Sequence, residues 1–318
     1  MKKVLGLLVF AFVLSSCDDG DIVVESLNFD DVAIGKCSTK NILYKINGNE
    51  IMQLTFPANT FTNEVGRKDD VQITSEDQVR YRQYNSDVTS ASICNDIQPA
   101  MPTISEEWIA QAGQITVNTT LVNKAADPET GRIVIDHYDH QIVFKNIKFS
   151  KPSGTQTQET LNFGTYTTPA TTLPFNFAAS DLKRCAATNR LYSAKSQGTE
   201  GLYLSNYDAA LFSTATADLD TPKTFSIGAT QNSLVYRLFT TALPANGNDA
   251  YFCTETIPAT PTVNQLWTAE SGTIQVVTTS MGGGVFKHTI RLKAVTFRKD
   301  ANTAIYYGDD ILYGELTF

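Results

Sequence analysis

Apolar and polar residues alternate with a period close to two along most of this chain. The segments that show it best are rich in Thr, Val, Ile, Tyr and Phe: NILYKI, EIMQLTF, QVRYRQY, QITVNTTLV and HQIVFKNIKF. This alternation predicts β-strands with one buried face. In the last segment, Ile142 and Phe144 differ in parity from Ile147 and Phe149, which predicts a β-bulge near Lys145-Asn146.

The same pattern occurs twice. The segment CNDIQPAMPTISEEWIAQAGQITV, which starts at Cys94, aligns with CTETIPATPTVNQLWTAESGTIQV, which starts at Cys253, at an offset of 159. NFDDVAIGKCSTKNILY aligns with NFAASDLKRCAATNRLY, and HQIVFKNIKFSK with HTIRLKAVTFRK, both at an offset of 148. Loop insertions between equivalent strands account for the change of offset.

We therefore predict a tandem duplication, with one domain over residues 21–169 and another over 170–318. The join, TYTTPATTLP, is short and rich in Thr and Pro. The predicted fold class is all-β, with one short helix per repeat, arranged as two tandem β-sandwich domains.

The predicted helices follow two capping-box spacings, Thr103 to Glu106 and Thr262 to Gln265. Gly113 and Gly272 are the expected helix stops. Trp108 and Trp267 would then lie in mid-helix and pack onto the sandwich core. The alternative is an exposed aromatic platform for sugars.

Cysteine placement predicts two disulfides. Apart from Cys17, the chain has Cys37, Cys94, Cys185 and Cys253. An even set predicts disulfides in an oxidising compartment, and four cysteines allow three pairings. The repeat favours pairing within each copy, Cys37–Cys94 and Cys185–Cys253, whereas bonds between the copies are the alternative.

The first sixteen residues have the features of a secretory signal peptide. Lys2 and Lys3 precede the apolar run at 4–14, which is shorter than the ~20 residues of a membrane-spanning helix. The following LSSC resembles the lipobox of bacterial lipoproteins. The resemblance implies a diacylglyceryl group on Cys17, cleavage before it and acylation of the new amine, with residues 17–20 as an acidic tether. An ordinary signal peptide with a chance cysteine is the alternative.

The acidic residues after Cys17 bear on localisation. CDDGDI resembles the start of Bacteroidota-type surface lipoproteins, and that resemblance implies the outer leaflet of the outer membrane. In enterobacterial lipoproteins an Asp directly after the cysteine implies inner-membrane retention instead. The acidic residues would also serve as a solvated tether.

Charge argues against a nucleic-acid partner. Removal of the predicted signal peptide takes away Lys2 and Lys3 and leaves 23 basic and 33 acidic side chains. The formal net charge then changes from −8 to −10. No basic residues cluster, so nucleic acid is not expected to bind.

One cluster has metal-ligand residue types: DHYDH, from Asp136 to His140. On a strand, Asp136 and His140 would share one face, and His137 and Asp139 the other, so four converging ligands are not expected. His140 recurs as His288, whereas Val285 and Lys287 replace His137 and Asp139, which predicts a structural role for the shared histidine. We find no nucleophile motif and expect no catalytic residue, metal or cofactor; calcium in acidic loops is left unassigned.

The expected function is that of a lipid-anchored, non-catalytic envelope protein whose loops bind a protein or glycan partner. Loops that differ between the copies are the places to look, above all NKAADPETGR (123–132) and TATADLDTPKTFSIGATQ (214–231). One alternative is an accessory glycan-binding lipoprotein of a polysaccharide-uptake system. Another is an envelope hydrolase, which would need two carboxylates about 5 to 9 Å apart.

Overall fold

The structure is a computed structural model that describes residues 27–318 except 59, 67, 75–77, 246 and 247. Cys17 and the whole signal region therefore lie outside the described residues. The described chain is all-β, as predicted, and forms two similar antiparallel sheets that curl into half-barrels.

The first repeat forms one sheet with strand order β1-β2-β3-β5-β6-β7-β8, and β4 also pairs with β6. Strand β2 buries alternate side chains, as the period of two predicted, whereas β3 buries the neighbours Ile51 and Met52 and β5 changes parity between Tyr81 and Tyr84. The strands are β1 (Gly35–Lys36), β2 (Ile42–Asn47), β3 (Glu50–Thr55), β4 (Lys68–Gln72), β5 (Val79–Tyr84), β6 (Ile104–Asn123), β7 (Ile135–Lys151) and β8 (Gly154–Pro169).

The second repeat forms a sheet of the same order, β9-β10-β11-β13-β14-β15-β16, with β12 paired to β14. Its strands are β9 (Leu182–Arg184), β10 (Arg190–Ser193), β11 (Glu200–Ser205), β12 (Lys223–Ser226), β13 (Ser233–Phe239), β14 (Val263–Gly282), β15 (Val285–Asp300) and β16 (Thr303–Thr317). The matching strand orders confirm the predicted duplication at the level of topology.

The predicted position of the helices is wrong. Thr103–Gly113 and Thr262–Gly272 belong mostly to β6 and β14, where Trp108 pairs with Tyr81 and Trp267 pairs with Tyr236 across the sheet. Cross-strand pairing outweighs the local capping signal. The short helices end at or directly before the second cysteine of each repeat: α1 (Ala91–Cys94) and α2 (Asn248–Phe252).

Gly113 and Gly272 mark bulges and not helix ends. Buried positions change parity here, from Trp108 and Ala110 to Ile115 and Val117. The glycines adopt φ of 126° and 124°, a region that favours glycine. The second bulge, predicted near Lys145-Asn146, is confirmed: Asn146 has φ of 49°, and the buried residues change parity from Phe144 to Ile147.

Both predicted disulfides are confirmed. Cys37 bonds to Cys94 with Cα atoms 5.3 Å apart, and Cys185 bonds to Cys253 with Cα atoms 5.2 Å apart. Each bond links the start of its sheet to the end of the short helix. Closing loops of this length stabilises the fold by about 4 kcal/mol each in the chain-entropy description.

The chain packs into two compact units that differ from the sequence repeats. The first unit holds the described residues up to Phe56, together with Gln72–Gln114 and Phe144–Gly164. The second unit holds Pro57–Val71, Ile115–Val143 and Thr165–Phe318. The divisions fall at or close to the positive-φ residues Gly113, Asn146 and Gly164. The outer halves of β6, β7 and β8 therefore pack within the same unit as the second repeat.

Candidate functional site

The DHYDH cluster lies at the start of β7, within the second unit. His137 Nδ1 lies 2.7 Å from Asp136 Oδ2, and His137 Nε2 lies 3.6 Å from Asp139 Oδ1. The hydroxyl of Thr167 also donates to Asp139, at 2.7 Å. Among the residues that the structure describes, no group of three or more His, Cys, Asp or Glu is arranged to hold a metal ion.

The shared histidines lie in the core of the second unit. His140 and His288 are fully buried, and their Nδ1 atoms lie 2.8 and 2.9 Å from the hydroxyls of Thr119 and Thr278. Burial lowers the pKa of both imidazoles. Because the same His–Thr contact occurs in both repeats, it serves the fold and does not distinguish a site.

The tryptophans are core residues, as predicted. Trp108 and Trp267 are each 1% exposed. Their indole Nε1 groups donate to Glu106 at 2.7 Å and Gln265 at 3.0 Å, within the same strand. Neither ring presents a face to solvent, so neither can serve as the stacking platform considered from the sequence.

A tyrosine–carboxylate pair that the sequence did not indicate is also shared by both repeats, with the carboxylate buried in the second and half-buried in the first. The hydroxyl of Tyr236 donates to Glu200 at 2.8 Å, and the hydroxyl of Tyr81 donates to Glu50 at 2.7 Å. Burial raises the pKa of Tyr236, and the neighbouring Glu200 adds to this effect. Repetition of the pair in equivalent places again indicates a structural role.

A cleft lined by residues of both repeats is the best candidate site. It has a volume of about 160 Å³ and lies within the second unit, between the outer part of the first repeat, the inter-repeat segment and β14. It is lined by Lys124, Val134, Ile135, Asp136, Tyr138, residues 170–173, Gln265 and Trp267. Its volume is well below the roughly 300–1,000 Å³ of drug-sized sites, so it suits one small group.

Two residues that line the cleft, Lys124 and Asp136, carry opposite charges. Lys124 Nζ lies 3.8 Å from Asp136 Oδ1, and both side chains are about half exposed. An exposed ion pair of this kind contributes little to stability, so Lys124 Nζ and Asp136 Oδ1 are available to exchange partners, while Asp136 Oδ2 contacts His137. The carbonyl of Asp136 also accepts a hydrogen bond from the Ala170 N–H, which holds the inter-repeat segment against β7.

The two charged groups of the cleft, Lys124 and Asp136, have no charged counterparts in the second repeat. At the offset of 148, Asp136 and His137 correspond to Gly284 and Val285. Lys124 lies in the 123–132 segment, which the second repeat replaces with a short glycine turn. Groups that one copy has and the other lacks are not required by the shared fold.

The 123–132 segment is ordered by its own hydrogen bonds. Asp127 Oδ1 accepts from the N–H of Glu129 at 3.1 Å and from the N–H and hydroxyl of Thr130 at 2.8 and 2.7 Å. These bonds, those from Thr130 foremost, lower the pKa of the Asp127 carboxyl. The segment is thus a shaped turn and not an open loop.

The same segment docks onto the second repeat. The Arg132 guanidinium lies 4.9 Å from the Phe175 ring and 4.6 Å from the Tyr307 ring, and its Nε donates to the Tyr307 carbonyl at 3.0 Å. The Thr130 carbonyl accepts from the Asp309 N–H at 2.8 Å. The segment therefore forms a fixed wall beside the cleft, where the sequence suggested a loop presented to a partner.

The second unequal segment, 214–231, is also built into the fold. Its β12 pairs with β14, and the carboxylate of Asp218 binds both Lys223 and the hydroxyl of Ser213. These contacts, led by Lys223, lower the pKa of Asp218. Residues 214–231 contribute none of the cleft lining.

The sequence pointed to Asp136 and to the 123–132 segment that carries Lys124, but it did not indicate that they line one cleft with Gln265 and Trp267. Lys124 and Gln265 are 141 positions apart in the chain, and only folding brings them together. The one sequence feature that pointed to this place was the 123–132 insertion of the first repeat. Comparison with known protein-family models, curated proteins and solved structures gave no match.

Proposed function

We propose that this chain is a lipid-anchored lipoprotein of the bacterial envelope that binds a protein or glycan partner and catalyses no reaction. The lipobox-like LSSC at 14–17 and the acidic residues after it support attachment through Cys17 to the outer leaflet of the outer membrane. The two disulfides agree with folding in an oxidising compartment. No helix among the described residues is long and apolar enough to cross a membrane.

The anchor is tested by Cys17→Ala in cells that process lipoproteins. We expect the variant to lose incorporation of labelled palmitate and to leave the membrane fraction, because the acyl chains supply the attachment. The control is Ser16→Ala, which replaces one small residue of the lipobox with another and should remain membrane-bound. Another cysteine is unsuitable as the control, since Cys37, for example, is disulfide-bonded. A Cys17→Ala protein that still fractionates with membranes would contradict the anchor.

The cleft carries the binding part of the proposal. It is preformed, since Arg132 and Asp127 fix the adjoining wall, and its Lys124 and Asp136 are not needed by the duplicated fold. A donor, a carboxylate and the nearby Tyr138 and Gln265 side chains offer mixed hydrogen-bonding groups. With both tryptophans buried, a glycan would be held at its end by hydrogen bonds and not by stacking on indole.

We expect a double variant, Lys124→Gln with Asp136→Asn, to lose binding in a screen against envelope glycans and proteins. Removing two charge-assisted contacts should weaken the complex roughly 10- to 100-fold. The matched control is Lys287→Gln with Glu315→Gln, an ion pair of similar exposure on the second sheet that does not line the cleft. Equal affinities for the two double variants would exclude the cleft as the binding site.

A further inference from the structure

Three exposed apolar residues of the first unit fall within eight positions of the sequence, from the segment after α1 to the first residue of β6. Ile97 is 89% exposed, Met101 is 63% exposed and Ile104 is 44% exposed. Single exposed apolar side chains are ordinary, whereas a cluster of large ones marks an interaction surface. We call residues 97–104 the apolar loop.

The second repeat shows that the fold does not need these side chains. At the offset of 159, Ile97 and Met101 correspond to Thr256 and Thr260, both exposed. Ile104 corresponds to Val263, which packs against the second repeat's core. The apolar side chains at 97 and 101 therefore belong to the first repeat alone.

The apolar loop lies within reach of the proposed anchor. Ten residues, 17–26, connect Cys17 to the described chain and span at most ~35 Å when extended. The chain enters beside Asn47 at one end of β2, where the Asn28 carbonyl accepts from Asn47 Nδ2 at 3.1 Å. Lys40 precedes the other end of β2 and donates to the Asn95 carbonyl at 2.9 Å. Six residues of strand separate these ends by ~20 Å, so the tether is long enough for loop and anchor to meet one surface.

Charge next to the loop is locally balanced. Asp96, the residue before Ile97, lies 3.2 Å from Lys40 Nζ. Pairing of this acid removes the net charge that would oppose approach to a lipid headgroup layer.

We propose that the apolar loop inserts Ile97 and Met101 into the lipid leaflet that holds the acyl chains of Cys17. The inference rests on the proposed lipid anchor. The loop adds a second contact at a fixed place on the first repeat, so it sets the orientation of the protein on the membrane as well as strengthening attachment. Lipid, and not a protein, is the occupant because the loop belongs to the repeat that the short tether holds at the membrane.

The test uses the mature chain without its lipid, attached by an N-terminal histidine tag to vesicles of phosphatidylethanolamine and phosphatidylglycerol containing a nickel-chelating lipid. A fluorophore on Met101→Cys should be quenched by spin-labelled acyl chains. The matched control is the same label on Thr260→Cys, the equivalent position of the second repeat, which should not be quenched. Equal quenching at the two positions overturns the proposal.

A second measurement replaces Ile97 and Met101 with threonine, the residue found at both equivalent positions of the second repeat. Ile97→Thr with Met101→Thr should lower partitioning of the untagged chain onto the same vesicles by about tenfold or more. The fluorescence of the Met101→Cys label is also followed without vesicles as the protein concentration rises. If the label becomes protected from solvent under these conditions, the loop is a self-association surface and the proposal is overturned. The histidine tag replaces the lipid on Cys17, so the vesicle tests report only on insertion of the apolar loop. The Cys17→Ala experiment alone reports on the lipid anchor, and the two proposals can therefore fail separately.

Discussion

Raising the pH from 8 to 11 is expected to remove about 6 kcal/mol of folding free energy. The cause is a set of four buried tyrosines in the second repeat: Tyr192, Tyr236, Tyr307 and Tyr313. Burial raises the pKa of each, to about 12 for Tyr307. A loss of this size is comparable with the ~5–15 kcal/mol folding stability of ordinary domains, so the protein should unfold as the pH approaches 11.

The sign follows from which state keeps its protons. Below pH 10 tyrosines are protonated in both states, and the stability is fully present. Above pH 10 the unfolded chain releases these protons while the folded chain keeps them, so stability falls by about 1.4 kcal/mol per pH unit for each tyrosine. Lys45, whose pKa burial lowers, opposes this trend, but it is a single group against four.

Urea unfolding at pH 8 and pH 11 measures the loss, and absorbance at 295 nm reports tyrosine ionisation. Tyr307→Phe keeps the aromatic contact with Phe175, whose ring centroid lies 4.9 Å away, and should reduce the loss at pH 11 by about 1.4 kcal/mol. Ionisation of all the tyrosines near pH 10, before circular dichroism changes, would show that the four side chains are accessible in the folded state and the explanation wrong.

Gly113→Ala is expected to destabilise the protein by about 3 to 5 kcal/mol. A Cβ at this position would lie 2.7 Å from the Ile147 Cα and 3.0 Å from the Asn146 carbonyl oxygen, both backbone atoms of β7 that cannot move alone. The residue's φ of 126° adds strain for any side chain. Gly272 makes the same approach to Val295, at 2.8 Å, so Gly272→Ala should behave alike.

Gly154→Ala separates the two causes. Gly154 has φ of 132°, close to that of Gly113, but no atom lies within 4 Å of its added Cβ. This variant should suffer the backbone strain alone and be less destabilised than Gly113→Ala by about 2 kcal/mol. Midpoints of urea unfolding compare them, and equal losses would mean that the contact between the two bulges is unimportant.

The helix prediction shows where sequence reasoning failed. Thr103 to Glu106 has the spacing of a capping box, yet Glu106 accepts a hydrogen bond from the Trp108 indole on the same strand. A capping signal covers four residues and contributes about 1 kcal/mol, whereas β6 pairs with strands on both sides and buries Trp108. Tertiary pairing therefore overrides the local preference.

The bulge near Asn146 shows where it succeeded. A change of parity among Ile142, Phe144, Ile147 and Phe149 is visible in one segment, because every strand residue must face one side of the sheet or the other. The disulfide pairing was also readable, since duplication places equivalent cysteines in equivalent structures. Both inferences use relations within a repeat that folding preserves.

The sequence alone determined the all-strand class, the duplication, the second bulge and the cysteine pairs, because each leaves a periodic or repeated mark along the chain. Only the tertiary structure decided where the short helices lie, that the 123–132 segment docks through Arg132, and that Lys124 and Gln265 line one cleft. Those features depend on contacts between residues far apart in the chain, and the energy of such contacts is not expressed in any local pattern.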